Sequence, residues 1–436
     1  MSGVREPFLS WGRYPRQAPA RVAAPWWRDE ALPAGSTLLA RGCGRSYGDS
    51  CLNAGGTLLH TARLDRMIAF DRTSGVLRCE AGATLEQVLE VAVPAGWFLP
   101  VTPGTRFVTI GGAIANDVHG KNHHVAGSFG AHVRRFELAR SDGSRTECSP
   151  EASPERFAAT IGGLGLTGLV TWAEVALRPI RSSYLACESI RFADLGEFFA
   201  LSAESNARFE YTVAWLDIGA RGNGRGIFMR ANHVEEDDGS LALALPGPRL
   251  AVPFEFPSTL LNRASVSAFN AVYYRAARRG ASRTHFAPFF YPLDAIAHWN
   301  RLYGRRGFVQ HQSVIPTAAA RAGVEELLRE VARAGEAPFL SVLKVFGERR
   351  SPGLLSFPRP GATLALDLPM RGDRTLALLD RLEAAVVAHG GAVYPAKDAR
   401  MSPHAFAAGF PRLAQFEGHL DPAFSSSFWR RVRGDG

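Results

Sequence analysis

Lysine is almost missing from this chain. Of the 50 Lys and Arg residues in 436, only Lys121, Lys344 and Lys397 are lysine. On a solvated surface the two cations replace one another. In a site they do not, because an ammonium is compact, carries rotatable donors and can lose its proton when desolvated. A chain that writes Arg everywhere else marks its lysines as places where Arg would fail. They fall in HGKNHH (119–124), VLKVFG (342–347) and YPAKDAR (394–400). Composition alone would equally allow three chance survivors, so their surroundings must decide.

Other scarcities exclude whole classes. Five cysteines, odd in number and without a CxxC pair, argue against a disulfide framework or a thiolate zinc site and fit a reducing compartment. No apolar run reaches the length of a membrane span, and MSGVREPFLSWGRYPRQ has no apolar signal core. The expected location is the cytoplasm, with peripheral attachment to the inner face of the membrane allowed. The net charge is +9, yet no run of five or six basic residues and no nucleic-acid motif occurs, so no nucleic-acid partner is expected.

What is present is a globular composition, 46% hydrophobic and 21% charged over 436 residues, which suits two domains. The first 180 residues are glycine-rich and read as short strands cut by turns. STLLAR (36–41), GVLRCEAG (75–82) and TGLVTWAEVALRPI (167–180) are strands, and residues 134–148 form a hairpin turning at Asp142-Gly143. Leu85, Val88, Leu89 and Ala92 repeat at helical spacing before Pro94 and Gly96. Beyond Pro179 longer strands alternate with amphipathic helices at 321–335 and 376–391, an α+β pattern. The tail from 392 is too short for a domain and should pack back on the others.

Gly163, Gly165 and Gly168 match GxGxxG, the dinucleotide fingerprint, which works only between a strand and a following helix. Here a helix-like segment (155–161) precedes and a strand follows, so a Rossmann site is not expected. The segment PGTRFVTIGGAIANDVHGKNHHVAGSFG (103–130) is different. Glycines at that density let backbone N–H groups approach a ligand, and with GCGRSYGD (42–49) they give two loops suited to a diphosphate. His119, His123 and His124 lack the helical spacing and carboxylates of a metal site, and no metal is expected.

These strings, with IGGLGLTG, FFYPLDAIAHWNRLYG, FVQHQSVIP, VLKVFG, LSFPRPG and YPAKDAR, resemble flavoenzymes of the vanillyl-alcohol-oxidase type. More narrowly, they resemble the decaprenylphosphoryl-ribose 2′-oxidase family, and the likeness covers nearly the whole chain. It implies a two-lobed FAD-binding domain at 1–180, completed by the tail 392–436, and an α+β substrate domain with an antiparallel sheet at 181–391. By resemblance, FAD would lie against Arg45, Ser46, Tyr47, Gly48, Gly104, Thr105, Thr109, Gly111 and Gly112. Asn116, His119, Gly120, Asn122, His123, Ser128, Leu169 and Tyr394 would continue that wall. A histidine carries covalent flavin in some members of the wider group; Arg45 in that slot implies FAD held without a covalent link.

On the substrate side the resemblance implies Lys397 as the essential lysine, with His119, Lys344, Tyr291 and Gln312 as further catalytic groups and Gln310, Trp215 and Lys121 as substrate contacts. Lys397 has three open roles: holding the sugar hydroxyl, stabilising negative charge on the flavin, or accepting the proton. Gln310 and Gln312 alternate on a strand and so share one face. Two departures stand out. Ala365 replaces the cysteine that nitro inhibitors trap in mycobacterial members, and Thr363 replaces a neighbouring Asn. The expected activity is FAD-dependent oxidation of a sugar secondary hydroxyl, most of all C2 of a polyprenyl-phosphoryl pentose, with a short-chain reductase completing an epimerisation. Alternatives are oxidation of a free sugar, alditol, aldonolactone or glycosylated metabolite on the same fold, and a flavin-fold binding protein without turnover.

Overall fold

Short apolar runs cut by turn residues become strands in the N-terminal third. The computed structural model describes residues 8–218, 224–242, 245–277 and 279–434. In it Arg21–Ala23, Thr57–His60 and Leu38–Arg41 lie in that order as a parallel sheet. A five-stranded antiparallel sheet follows, in the order Met67–Asp71, Val76–Glu80, Leu169–Ala176, Val133–Ala139, Arg145–Cys148. The hairpin turns at Gly143, whose φ of 83° suits glycine. Helix Leu85–Ala92 starts at a capping box: Gln87 N–H donates to Thr84 Oγ1 at 3.2 Å, and Thr84 N–H donates to Gln87 Oε1 at 2.8 Å. It buries Leu85, Val88, Leu89 and Ala92, the four residues its periodicity singled out.

The GxGxxG string joins helix Pro154–Thr160 to strand Leu169–Ala176, the reverse of the dinucleotide order, as its sequence context indicated.

The second sheet has eight strands, in the order Gly280–His285, Tyr184–Phe192, Arg225–His233, Tyr211–Asp217, Ser341–Phe346, Gly361–Pro369, Phe308–Pro316, Ala392–Val393. Every neighbouring pair is antiparallel. Side chains alternate between its faces. One face sends Ala214, Leu343, Leu364, Leu366 and Val309 into a core with helices Ala320–Arg333 and Asp373–Ala388, which supply Val324, Leu327, Leu378 and Leu382. The opposite face carries the residues in between, and it roofs the site. The fold is α+β, with the FAD-binding architecture of the vanillyl-alcohol-oxidase type.

The tail is shared between both regions. Ala392–Val393 adds the edge strand, and Phe406, Phe416, Phe428 and Trp429 join the core of the large sheet. Ser425 N–H donates to Leu38 O at 2.9 Å, and the Arg431 guanidinium pairs with Asp49 at 2.7 Å and Asp398 at 2.8 Å.

Candidate active site

Between the large sheet and the N-terminal loops lies a cavity of about 370 Å³. Its roof comes from alternate residues of four adjacent strands: Val213 and Trp215, Val342 and Lys344, Thr363 and Ala365, and Gln310 and Gln312. A period of two thus puts both glutamines and one lysine on one wall. The opposite wall is built by Gly42–Tyr47, Gly104, Thr105, Thr109, Gly111, Gly112, Asn116, Gly120 and Leu169, and Tyr394 and Lys397 close one side.

The loop after strand Leu38–Arg41 is a row of unused donors. Among the described residues, the amides of Cys43, Gly44, Arg45 and Ser46 donate to no protein acceptor, and those of Gly104 and Thr105 behave alike. Gly44 holds a φ of 62°, which turns successive N–H groups toward one side. Arg45 Nε is buried with no partner among the described residues, its guanidinium 4.2 Å from the Trp11 ring centre. A Cβ on Gly104 would meet nothing within 4 Å, so the backbone there borders open cavity. Of these residues only Gly44 is buried and the rest are half-buried or exposed, so their amides are open to a ligand in the cavity, and a row of free N–H groups fits the diphosphate of FAD. Gly111 and Gly112 differ: their amides are already bonded, to Ala81 O at 2.7 Å and Thr109 Oγ1 at 3.1 Å. They permit close approach of a ligand but contribute no free donor.

All three lysines of the chain line this cavity. Burial brings Lys344 down to about 7, aided by Lys121 and Lys397, and brings Lys121 down to about 7. Lys121 donates to Phe289 O and lies 4.5 Å from the Phe289 ring centre. Lys397 sits 3.7 Å from the Tyr47 ring centre; burial lowers it to about 8, opposed by the charge of Asp367. Asp367 is fully buried and raised to about 7 by burial, opposed by the Gln310 amide that donates to it and by Lys397. These ammonium groups can therefore change protonation near neutral pH.

His119 links two of the walls. Its Nδ1 is 3.1 Å from Lys344 Nζ, which also donates to Gly120 O at 3.2 Å, and its Nε2 is 2.9 Å from the Gln312 amide. Burial and the neighbouring Lys344 hold the ring well below the usual histidine range, so it is neutral. An ammonium on Lys344 places a lone pair at Nδ1 and the proton on Nε2, and Gln312 then presents its oxygen. As placed, the Gln312 amide nitrogen faces Nε2 and also donates to the Thr363 hydroxyl at 3.2 Å, the arrangement that suits a free amine on Lys344; the ammonium requires the amide to be turned over.

Comparison with known proteins decides the family. The chain is 34% identical over 417 residues to decaprenylphosphoryl-β-D-ribose oxidase of Mycolicibacterium smegmatis, covering 92% of this chain and 90% of that one. The chain belongs to the decaprenylphosphoryl-ribose oxidase family. It is an FAD-dependent oxidoreductase. The FAD binding domain family matches residues 30–149, which include the loop of free amides. An uncharacterized Streptomyces coelicolor protein is 36% identical over 372 residues, 80% of this chain and 99% of that one. A Neurospora crassa protein named as a D-arabinono-1,4-lactone oxidase is 26% identical over 175 residues, 40% of this chain and 31% of that one.

Within this oxidase most residues singled out from the sequence reach the cavity surface, but five stand behind it. Tyr291 is buried, its hydroxyl 2.7 Å from Thr102 Oγ1, and Thr102 forms the wall. Asn122 donates to Pro100 O at 2.9 Å, and the His123 ring lies 4.3 Å from that of Phe346. Ser128 is buried. Gly48 packs where a Cβ would overlap Asp398 O. The three histidines do not converge, since His124 Nε2 is 2.9 Å from Phe209 O. Sequence reasoning passed over Asp367. Its signal was a lone carboxylate in the apolar strand GATLALDLP, in phase with Thr363 and Ala365. No helix among the described residues is long and apolar enough to cross a membrane.

Proposed function

We propose that this flavoenzyme oxidises the C2 hydroxyl of a polyprenyl-phosphoryl pentose, ribose to its 2-keto form, and that a short-chain reductase completes an epimerisation toward arabinose. The observation that carries the reading is the convergence of all three lysines, desolvated, on one cavity beneath a roof of paired glutamines. The name and extent of the M. smegmatis relative support the substrate. Bound FAD supplies the hydride acceptor. The amides of residues 43–46, 104 and 105 hold its diphosphate, without a covalent link because Arg45 offers no nucleophile. Residues 1–180 form the FAD domain and 181–391 the substrate domain, and the tail 392–436 completes the FAD domain while also packing on the large sheet.

In this reading Lys397 faces the reacting carbon's hydroxyl, with Gln310 and Asp367 fixing its surroundings. Gln312, His119 and Lys344 form a chain that orients the sugar, since each partner fixes the next one's donor direction. Lys121 and Lys344 are the cations available to a phosphodiester. Tyr291 acts through Thr102 as a positioning residue, and Trp215 forms the apolar end. A lipid-linked substrate also implies peripheral contact with a membrane.

The test is the visible flavin spectrum of the purified protein under anaerobic conditions, before and after adding a prenyl-phosphoryl ribose. Bleaching is expected. Bleaching by free sugars or an aldonolactone alone would favour the activity for which the Neurospora relative is named. A flavin band that no sugar bleaches would favour a binding protein.

A further inference from the structure

The large hydrophobic side chains left exposed are not spread evenly. Of nine among the described residues, six lie between 250 and 273: Leu250, Phe254, Leu260, Phe269, Val272 and Tyr273, at 42–67% exposure. Single exposed hydrophobics need no account, but a cluster does. On helix Arg263–Ala276 Val272 faces outward, Phe269 sits three residues before it on the same side, and Tyr273 lies between Phe269 and the inward Val266 and Asn270, at the edge of the stripe. Leu260 precedes the helix cap, where its carbonyl accepts from the Ser265 hydroxyl.

The stripe runs into the cavity. The Phe269 ring stacks on Tyr273 at 6.0 Å, Trp215 meets Tyr273 edge-on at 4.8 Å, and both Trp215 and Tyr273 line the cavity. The wall at that end continues through Val213, Met229, Leu340 and Val342, all apolar. The charge of this segment is nearly all of one sign: residues 250–293 contain five Arg and, before Asp294, one acid, Glu255, which pairs with Arg13. Arg263 and Arg275, on the helix itself, are exposed. An apolar stripe flanked by arginine suits an anionic bilayer interface. A second copy of the chain would set these arginines against one another.

We propose that helix Arg263–Ala276, with Leu260, docks on an anionic lipid bilayer, and that the lipid-linked substrate enters the cavity from the membrane along Tyr273 and Trp215. This rests on the lipid-linked substrate of the preceding section for its route, though not for the docking itself. The tail of such a substrate would then not need to cross water.

The test is co-sedimentation of the full-length holoenzyme with phosphatidylcholine vesicles, with and without phosphatidylglycerol. Binding is expected at least about tenfold tighter to the anionic vesicles, weakening with salt. Leu260→Glu/Val272→Glu should lose that binding about tenfold or more while keeping flavin content and flavin reduction by a short-chain, water-soluble prenyl-phosphoryl pentose. Arg263→Glu/Arg275→Glu, which leaves the stripe intact, should remove the preference for phosphatidylglycerol. Absence of vesicle binding, or a Leu260→Glu/Val272→Glu protein that binds like the parent, would overturn the proposal. So would light scattering that shows a lipid-free dimer split by the same double variant, which would assign the stripe to a second copy. Vesicle binding that depends on the stripe, in an enzyme no prenyl-phosphoryl pentose reduces, would uphold the docking face and sink only the substrate reading.

Discussion

Replacing Asp367 by Asn would reveal which form of Lys397 works. The carboxylate is fully buried on strand Gly361–Pro369, one oxygen accepting from Gln310 and the other without a partner among the described residues. Asn keeps the shape and an acceptor for Gln310 and removes the charge, placing its NH2 group where the unpartnered oxygen stood. Unit charges just beyond ion-pair contact, roughly 5–7 Å apart, at an effective dielectric of about 20 interact by roughly 2–3 kcal/mol, which is about two pH units. Lys397, now near 8 because burial outweighs the attraction of Asp367, should fall to about 6 when that attraction is removed. If the ammonium is the working form, the alkaline limb of kcat/KM moves down by about two units, and activity at pH 7.5 drops about 25-fold. If the free amine is the working base, the acidic limb moves down instead, and activity at pH 7.5 rises by at most about fourfold. The assay is anaerobic flavin reduction across pH 5–10, with flavin content checked in each variant. A profile whose limbs do not move would refute the electrostatic coupling of Asp367 to Lys397.

Three other variants probe separate parts of the argument. Lys397→Ala should retain FAD but slow flavin reduction by roughly 100-fold or more, read by stopped-flow absorbance; normal turnover would remove Lys397 from the chemistry. Ala365, opposite Gln312 and Val342 in the sheet, lines the cavity, so Ala365→Cys should create a thiol open to nitro inhibitors. Intact-mass spectrometry should show an adduct on that variant and none on the parent. Gly48→Ala would force a methyl into the backbone of Asp398 and Ala399, lowering stability by about 3 kcal/mol. A urea midpoint equal to the parent's would contradict that packing.

Much of this molecule was legible in its residues. The helix at Leu85–Ala92, the hairpin around Gly143 and the strand that alternates Gln310 with Gln312 are set by local periodicity and turn chemistry, which act over a few residues and need no distant partner. The scarcity of lysine pointed to three segments, and the family resemblance supplied the cofactor. Convergence was another matter. His119 meets Gln312 across 193 residues and Lys344 across 225, and no pattern along the chain encodes such a meeting. Packing also decided which amides were free: both glycine-rich loops suit a diphosphate by sequence, but Ala81 and Thr109 occupy the N–H groups of Gly111 and Gly112, leaving residues 43–46 with theirs unused. Asp367 reads in sequence as one polar residue in an apolar strand. Only the stacking of the sheet over the loops buries it beside Gln310 and Lys397, where desolvation turns an ordinary carboxylate into a group that titrates near neutrality.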